Sequence, residues 1–419
     1  MKSHPLNPAD IETHSPALVE RATRGEADAQ FSLGVCFANG EGITKDDKEA
    51  VRWYRMAAEQ GHAFAQCNLG LCYGRGEGIE KDWSEAVRWN RKAAEQGDAL
   101  AQVKLGFCYE KGTGVEKDEH EAARWYRKSA EQGYSEGQWN LGVCHANGRG
   151  VGKDDQDALR WFRKAAEQGH ANAQYQIGLC YETGRGVEED ESEAVDWIRK
   201  AAEQGDACAQ RSLGFHYELG MGVGKNEREA VRWYLKAAEQ GEAHAQVQLG
   251  NCYYTGTGFY PRDQQEVYQW EREEDIRFGE GEKWAQFPSY HPIEYYQQEA
   301  VRWFREAAGQ GDPDGHYMLG VCYSNGTGVE KNEQEAVSWF RKAAERGHAS
   351  AQSSLGLCYA NGTGVPKSFA EAYMWFNVAA AQGKENAAKS RDELESKMSQ
   401  SDVSLAQRMS AEFIERSGS

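Results

Sequence analysis

Apolar residues in this chain fall on short helical stripes, which are interrupted at regular intervals by glycine-rich segments. Between Gly61 and Gly97, a first stripe with helical spacing consists of Ala65, Leu69, Cys72 and Tyr73. A second stripe consists of Ala86, Trp89, Ala93 and Ala94, and the opposite side carries Arg88, Arg91, Lys92 and Glu95. The pattern predicts two amphipathic helices joined by a glycine-rich loop over residues 74–78.

Capping residues mark the ends of these helices, and the whole segment then repeats. Asp82 with Glu85 forms a capping box, in which the Asp side chain accepts a backbone N–H and the Glu side chain reaches back. The spacing from Gly61 to Gly97 is 36 residues, and the same interval recurs along most of the chain. A Leu-Gly or Ile-Gly pair keeps this interval at Leu33, Leu69, Leu105, Leu141, Ile177, Leu213 and Leu249, and again at Leu319 and Leu355. One hairpin cannot bury its own stripe, so the period predicts an all-α array of stacked hairpins.

The recurring motif A-A-E-x-G-x-x-x-A-x-x-x-L-G-x-x-Y-x-x-G-x-G-V-x-K-D-x-x-E-A resembles the Sel1-like repeat family, relatives of the tetratricopeptide repeats. The resemblance covers about residues 25–383, and the C-terminal ending resembles bacterial members of the family. It implies a right-handed α/α superhelical solenoid of about nine to ten 36-residue repeats. Members of this family are mostly adaptors and scaffolds that assemble other proteins, so the resemblance implies a non-enzymatic protein-binding function.

The repeat pattern divides the chain into five segments. Residues 1–24 are expected to form an extension with a capping helix, and residues 25–258 to hold repeats one to six and the first helix of the seventh. Residues 259–297 break the pattern, residues 298–383 resume it, and residues 384–419 are expected to form capping helices. Two interpretations of the break remain open, a decayed repeat and a long functional loop, and the sequence favours the decayed repeat.

Residues 259–297 also differ from the repeats in being rich in aromatic residues. Tyr260, Trp284, Phe287 and Tyr290 look exposed in the sequence, and they are candidates for a second contact surface or gate for a partner. The alternative is that these rings fill the space left by a lost helix.

Composition limits the choice of partners. The formal net charge of −18 disfavours nucleic acid, which requires a basic surface. No apolar run approaches the roughly 18 residues of a membrane span, and the first residues lack the apolar segment of a secretory signal. We therefore expect a cytoplasmic protein that binds a protein or peptide, and a monomer by default.

The cysteines and histidines do not form a recognisable catalytic or metal-binding motif, so neither a cofactor nor a metal is expected. Eight of the ten cysteines share one position of the repeat, which is typical of a small buried apolar residue. Two alternatives remain open. Cys67 and Cys72, five residues apart on one helix, could act as a thiol redox sensor. Some cysteine-rich relatives have been linked to β-lactam binding or hydrolysis, which would make the protein an enzyme.

The first helices supply the candidate binding residues. If Leu-Gly-x-x-Tyr corresponds to that of tetratricopeptide repeats, the residue two before Leu faces the concave groove. This position and the one five before Leu vary between repeats, as expected of a surface that recognises a partner. The candidates are Phe31, Phe64, Trp139, Tyr175, Arg211 and Tyr317. The alternative is that these side chains pack between turns of the superhelix.

Overall fold

The computed structural model describes residues 13–258 and 293–417, and every regular element in these ranges is a helix. The four aromatic candidates of the break, Tyr260, Trp284, Phe287 and Tyr290, lie outside the described residues. The chain divides into two compact units, which we call unit one (Met1–Gln204) and unit two (Gly205–Ser419).

Unit one begins with α1 (Pro16–Thr23) and continues with five helical hairpins. The first helices of these hairpins are α2 (Ala27–Asn39), α4 (Ala63–Arg75), α6 (Ala99–Lys111), α8 (Ser135–Asn147) and α10 (Ala171–Thr183). The second helices are α3 (Asp47–Glu59), α5 (Trp83–Glu95), α7 (Glu119–Glu131), α9 (Asp155–Glu167) and α11 (Glu191–Glu203). Leu18 and Ala22 of α1 are buried against Leu33 of α2, so α1 covers apolar surface of the first hairpin.

Unit two contains four hairpins and two further helices. Its first helices are α12 (Ala207–Leu219), α14 (Ala243–Thr255), α16 (Pro313–Asn325) and α18 (Ala349–Asn361). Its second helices are α13 (Glu227–Glu239), α15 (Ile293–Gly309), α17 (Glu333–Glu345) and α19 (Phe369–Ala381), followed by α20 (Glu385–Glu395) and α21 (Gln400–Ser417). Leu394 and Val403 of the last two helices are buried in one cluster with Tyr373 of α19.

The hairpin of α14 and α15 keeps the usual packing although its two helices are far apart in sequence. A Cβ on Gly250 would lie 2.5 Å from the ring of Phe304, and Gln310 donates a hydrogen bond to Gln246 over 2.9 Å. These contacts recur in the other hairpins. Residues 259–292 are therefore inserted, in sequence, between the two helices of one regular hairpin.

Close approach of helices explains the glycine of the Leu-Gly pair. A Cβ on Gly106 would lie 2.7 Å from the Tyr126 ring, so only glycine lets α7 pack this closely on α6. Gly114, in the loop after α6, has a φ of 71°, and its Cβ would lie 2.2 Å from the carbonyl oxygen of Trp83. This loop thus rests on the start of α5 in the preceding repeat and joins the two repeats.

The helix caps differ from the predicted capping box in one respect. Asp82 accepts hydrogen bonds from the backbone N–H groups of Ser84 and Glu85 at 2.8 and 3.1 Å, as predicted. Its own N–H, however, donates to the carbonyl oxygen of Tyr73, and Glu85 binds Arg88 and the indole N–H of Trp89 instead. Glu85 does not accept from the backbone N–H of Asp82, because that N–H already donates to the Tyr73 carbonyl oxygen at the end of α4.

A buried glutamine connects three consecutive helices in most repeats. The Gln66 side chain of α4 donates to the carbonyl oxygen of Ala58 at the end of α3 over 3.0 Å, and it accepts from Gln96 after α5 over 2.7 Å. We call this arrangement the glutamine bridge. Its side-chain pairs are Gln30–Gln60, Gln66–Gln96, Gln102–Gln132, Gln138–Gln168 and Gln174–Gln204 in unit one, and Gln210–Gln240, Gln246–Gln310 and Gln352–Gln382 in unit two.

One repeat of unit two replaces both glutamines. His316 takes the first position and Arg346 the second. Nδ1 of His316 lies 2.6 Å from the carbonyl oxygen of its own helix cap, Asp312, and Arg346 donates to Lys342 within its own hairpin. Burial lowers the pKa of His316, and the charge of Arg346 lowers it further. The repeat therefore lacks the hydrogen bonds of the glutamine bridge, although Arg305 still donates to Tyr323 across α15 and α16.

Restoring this bridge should stabilise the protein. We expect His316→Gln/Arg346→Gln to raise the free energy of unfolding by about 1–2 kcal/mol, because two buried hydrogen bonds are regained at about 1 kcal/mol each. His316→Gln alone should regain only the bond to the carbonyl oxygen at the end of α15, and Arg346→Gln alone should regain neither bond, because the bond between the two side chains requires both glutamines. Urea unfolding of the four variants measures the coupling, and Gln102→His/Gln132→Arg is the reverse control, which should lose stability. Additive single changes would contradict the bridge.

Candidate protein-binding face

Each first helix keeps one side free of its partner helix. In α4, Phe64, Asn68, Leu71 and Arg75 are three or four residues apart and lie on one side. Phe64 and Leu71 are half-buried, Asn68 is buried and Arg75 is exposed, whereas Ala65 and Leu69 face the hairpin core and are fully buried. We call this side of the first helices the open face. It consists of the residues five and one before, and two and six after, the recurring Leu.

In each unit, every repeat contributes one residue of a row to the open face, and all of these residues except Asn251 are apolar. We call the residues two after the recurring Leu the apolar row. In unit one the row is Val35, Leu71, Phe107, Val143 and Leu179; in unit two it is Phe215, Asn251, Val321 and Leu357. Val35 is buried and the other four members in unit one are half-buried, while Phe215 and Leu357 are exposed by 39% and 48%. Sequence analysis missed the row, although its fixed place after each Leu-Gly was visible.

The candidates two residues before Leu pack largely on the next repeat. Phe31 is only 4% exposed and stacks on His62 with ring centres 4.7 Å apart. Trp139 stacks on His170 at 5.5 Å, and Tyr317 stacks on His348 at 4.5 Å. In these three repeats, the aromatic residue two before Leu stacks on the histidine that precedes the next first helix.

The remaining candidates fit the same geometry. Arg211 forms an ion pair with Glu242, the cap of the next first helix, with Nε and Oε1 3.4 Å apart. Phe64 is half-buried on the open face, 6.2 Å from the ring of Phe31, and Tyr175 is half-buried on α10. The structure thus brings Phe31 and Phe64 together and leaves Phe64, Trp139, Tyr175 and Tyr317 partly accessible beside the apolar row.

The stacked histidines also cap helices. Nδ1 of His62 accepts a hydrogen bond from the backbone N–H of Ala65 over 3.1 Å, and Nε2 lies 3.3 Å from a carboxylate oxygen of Asp28. His170 and His348 repeat this arrangement with Glu136 and Asp314. Each of the three imidazoles thereby joins a helix start to the first helix of the preceding repeat.

A buried lysine lies on the open face between α4 and α8. Lys104 is only 7% exposed, and burial lowers its pKa while the nearby Glu136 carboxylate acts to raise it. The pKa of Glu136 is lowered, chiefly by its hydrogen bond with His170. Its burial results from the packing of adjacent repeats.

The two cysteines of the redox alternative are buried thiols. Cys67 is fully buried, and burial raises its pKa well above the ordinary value, with Asp98 adding to the effect. Burial likewise raises the pKa of Cys72 to about 12. Because the thiolate is the reactive form, both residues lack the features of a reactive cysteine. Within residues 13–258 and 293–417, no group of His, Cys, Asp and Glu side chains could hold a metal ion.

These features define an α/α solenoid whose hairpins are joined by caps, stacked rings and buried glutamines. The Sel1 repeat matches residues 27–62, 63–98, 99–134, 135–170, 171–206, 209–242, 243–270, 297–312, 313–348 and 349–384. The chain belongs to the Sel1 repeat family, and the all-α repeat solenoid predicted from the sequence is confirmed. Proteins of this family generally mediate protein–protein interactions and form a scaffold that is not catalytic.

Two solved structures cover most of the chain. One is c5321, a protective antigen present in uropathogenic Escherichia coli strains and displaying an SLR fold; it is 33% identical with a TM-score of 0.51, and the match covers 96% of this chain and 95% of that one. The other is a Sel1 repeat protein from Oxalobacter formigenes, 29% identical with a TM-score of 0.57, covering 85% of this chain and 98% of that one. No curated protein matches the sequence. Among the described helices, none has the length and apolar character needed to cross a bilayer.

The capping histidines should make stability depend on pH. Burial lowers the pKa of His62 and of His348 below the ordinary value, against the opposing charges of Asp28 and Asp314; Lys384 lowers that of His348 further. These histidines therefore bind protons more readily in the unfolded chain than in the folded one. Their contribution to the free energy of unfolding is fully present above the unfolded-state pKa of about 6.5, and it is lost as the pH falls below that value.

We expect His62→Asn/His348→Asn to unfold with a weaker pH dependence between about pH 7.5 and 5 than the unaltered protein, because Asn keeps a capping oxygen but does not titrate. Thermal unfolding at several pH values measures this slope. His244→Asn is the matched control, since His244 is exposed and caps no helix. An unchanged slope in the double variant would contradict the role of the caps.

Proposed function

We propose that the protein is a non-enzymatic adaptor or scaffold that binds a peptide or protein segment on the open face of its first helices. The observation that carries this proposal is the apolar row of unit one, in which Leu71, Phe107, Val143 and Leu179 succeed one another without a polar member and remain partly exposed. Exposed apolar patches of this kind mark interaction sites, because leaving them in water is unfavourable.

The second helix α5 presents a different surface to solvent. The solvent side of α5 consists of Arg88, Arg91, Lys92 and Glu95, which are all exposed. Charged side chains keep this side hydrated, whereas the open face can be dehydrated by a partner at a lower cost. The net charge of −18 further favours a protein partner over nucleic acid.

The binding residues predicted from the sequence lie next to the apolar row, and we include them in the proposed binding surface. Phe64, Trp139 and Tyr175 in unit one, with Arg211 and Tyr317 in unit two, add partly accessible side chains beside the row. The buried Phe31 packs against Phe64. The break residues Tyr260, Trp284, Phe287 and Tyr290 remain candidates for a second contact. The redox alternative finds no such support, since Cys67 and Cys72 are buried.

Peptide-display selection against the purified protein tests this proposal. We expect selected peptides to lose binding by at least about tenfold, ~1.4 kcal/mol, on Leu71→Asp/Phe107→Asp, because each change places a charge in the dehydrated contact. Met56→Asp is the matched control: Met56 is 36% exposed on α3, a second helix, and its replacement should leave binding unchanged.

A second arm uses Trp139→Ala/Tyr175→Ala to measure what the aromatic candidates contribute. Each variant is first checked for an unchanged helical circular dichroism spectrum. Selected peptides that bind all variants equally well would rule out the open face of unit one as the binding site.

A further inference from the structure

A buried group that can titrate replaces the glutamine bridge in the hairpin of α16 and α17. The side chains of the bridge are amides, which do not change charge between mildly acidic and neutral pH. His316 takes the place of the first amide and is only 4% exposed, and the ordinary pKa of an imidazole is about 6.5. Mild acid can therefore create a charge at this position of unit two, where the other repeats hold a neutral amide.

The hydrogen bond of His316 indicates where the second proton binds. Nδ1 lies 2.6 Å from the backbone carbonyl oxygen of Asp312. A carbonyl oxygen only accepts, so Nδ1 carries the hydrogen of the neutral imidazole and donates it. Nε2 is therefore the atom that takes up a proton in acid, and the ring becomes a cation while it keeps its bond to Asp312.

The surroundings of His316 disfavour that cation. Burial lowers its pKa most, and Arg346 and Lys342 at the end of the α17 hairpin lower it further. The backbone and carboxylate of Asp312, at the start of α16, act in the opposite direction. That carboxylate is itself almost fully buried and already accepts the backbone N–H of Gly315 over 2.8 Å as the helix cap. Asp312 is thus the one acid among the groups that act on this pKa, and it is already engaged.

The remaining neighbours offer little solvation to an imidazolium. The Trp339 ring of α17 lies 5.6 Å from the His316 ring, and the Lys342 ammonium already lies 3.8 Å from the centre of the same indole. On the side of α15, Gly315 lies against Ala307, which carries no polar side chain. Protonation therefore adds a second cation to a buried site that already holds one against its aromatic ring.

Unit one contains a hairpin that matches this one except for the bridge. The first helices α2 and α16 each place an acid and an aromatic ring on the histidine that caps the next first helix. The ion pairs are Asp28–His62 at 3.3 Å and Asp314–His348 at 3.0 Å, and the stacked rings are Phe31–His62 and Tyr317–His348. In α2, however, Gln30 donates to Ala22 over 3.1 Å and accepts from Gln60 over 2.7 Å. The two hairpins share one acid-sensitive contact and differ in the other.

We propose that unit two contains an acid-sensitive opening site: when His316 takes up a proton at Nε2, the hairpin of α16 and α17 separates from the end of α15 before the other hairpins open. Separation lets water reach the imidazolium, which relieves its burial beside Lys342 and Arg346. The glutamine bridge is absent here and does not oppose the separation. The bond from Arg305 to Tyr323, which still crosses α15 and α16, is exposed, so water can replace it at low cost.

Opening at this hairpin would change the open face of unit two. Val321 of the apolar row and Tyr317 beside it both lie on α16. When α16 leaves the end of α15, these two side chains no longer continue the surface formed by α12 and α14. Mild acid would therefore alter this part of the open face first.

Hydrogen exchange of the unaltered full chain at pH 7.5 and pH 5 tests the proposal, with rates corrected for the intrinsic effect of pH. The contribution of His316 to keeping the hairpin closed is present above the open-state pKa of about 6.5 and is lost as the pH falls below it. Acid should therefore lower the protection of backbone N–H groups in α16 about tenfold more than in α2. The ceiling for one such histidine at pH 5 is about 30-fold.

Two variants assign the effect to the proton on His316. His316→Gln should remove the excess loss of protection in α16, because glutamine does not titrate, and His316→Gln/Arg346→Gln should do the same with the bridge restored. Arg346→Lys is the matched control: it keeps the positive charge and should leave the excess unchanged. Equal losses of protection in α2 and α16, an excess that survives both His316 variants, or one that disappears in Arg346→Lys would overturn the proposal.

Discussion

The glutamine bridge is the contact on which the regular geometry of this protein depends. Gln66 sits between three helices, donating to the end of α3 and accepting from Gln96 after α5, and it is almost completely buried. A buried amide without partners would cost more than the hydrogen bonds gain, so the three helices are held in one arrangement. Within each unit, the bridge recurs in every repeat except that of His316, and it gives these first helices similar places relative to their neighbours. The apolar row of unit one therefore takes one residue from the same position of each first helix.

The residues two before the recurring Leu, which border the open face, vary between repeats but contact a neighbour that varies with them. Phe31, Trp139 and Tyr317 vary in ring type, yet each stacks on a histidine that caps the next first helix. Where the sequence changes to Arg211, the cap changes to Glu242. Variation at this position is thus absorbed within the solenoid by a matched neighbour. In unit one, Leu71, Phe107, Val143 and Leu179 of the apolar row remain partly exposed, and the row therefore carries the proposal of a bound segment.

Much of the fold could be predicted because the repeat sets its own boundaries. Gly97 ends one hairpin and begins the next, Asp82 caps α5, and the glycine of each Leu-Gly pair marks a close contact of helices, as Gly106 shows against Tyr126. The candidate site was predicted less well. Helical spacing correctly placed Phe64 and Trp139 on the first helices, but it gave the same weight to Phe31, which is buried, and it passed over Leu71 and Phe107. The sequence did not show that His316 and Arg346 replace a hydrogen-bonded pair of glutamines, because these two positions meet only in the folded structure.

The sequence by itself determined the elements, their order and the period, since these follow from local rules: amphipathic spacing, side-chain caps and glycines where the backbone or a neighbour leaves no room. Only the tertiary structure decided which sides of the helices remain open. Residues such as Gln66 and Gln96 are 30 positions apart, and whether they meet depends on how successive hairpins stack. Lys104 is buried and Leu71 is partly exposed for the same reason. Periodicity states which residues share a side of a helix, whereas the neighbouring repeats determine which side is covered.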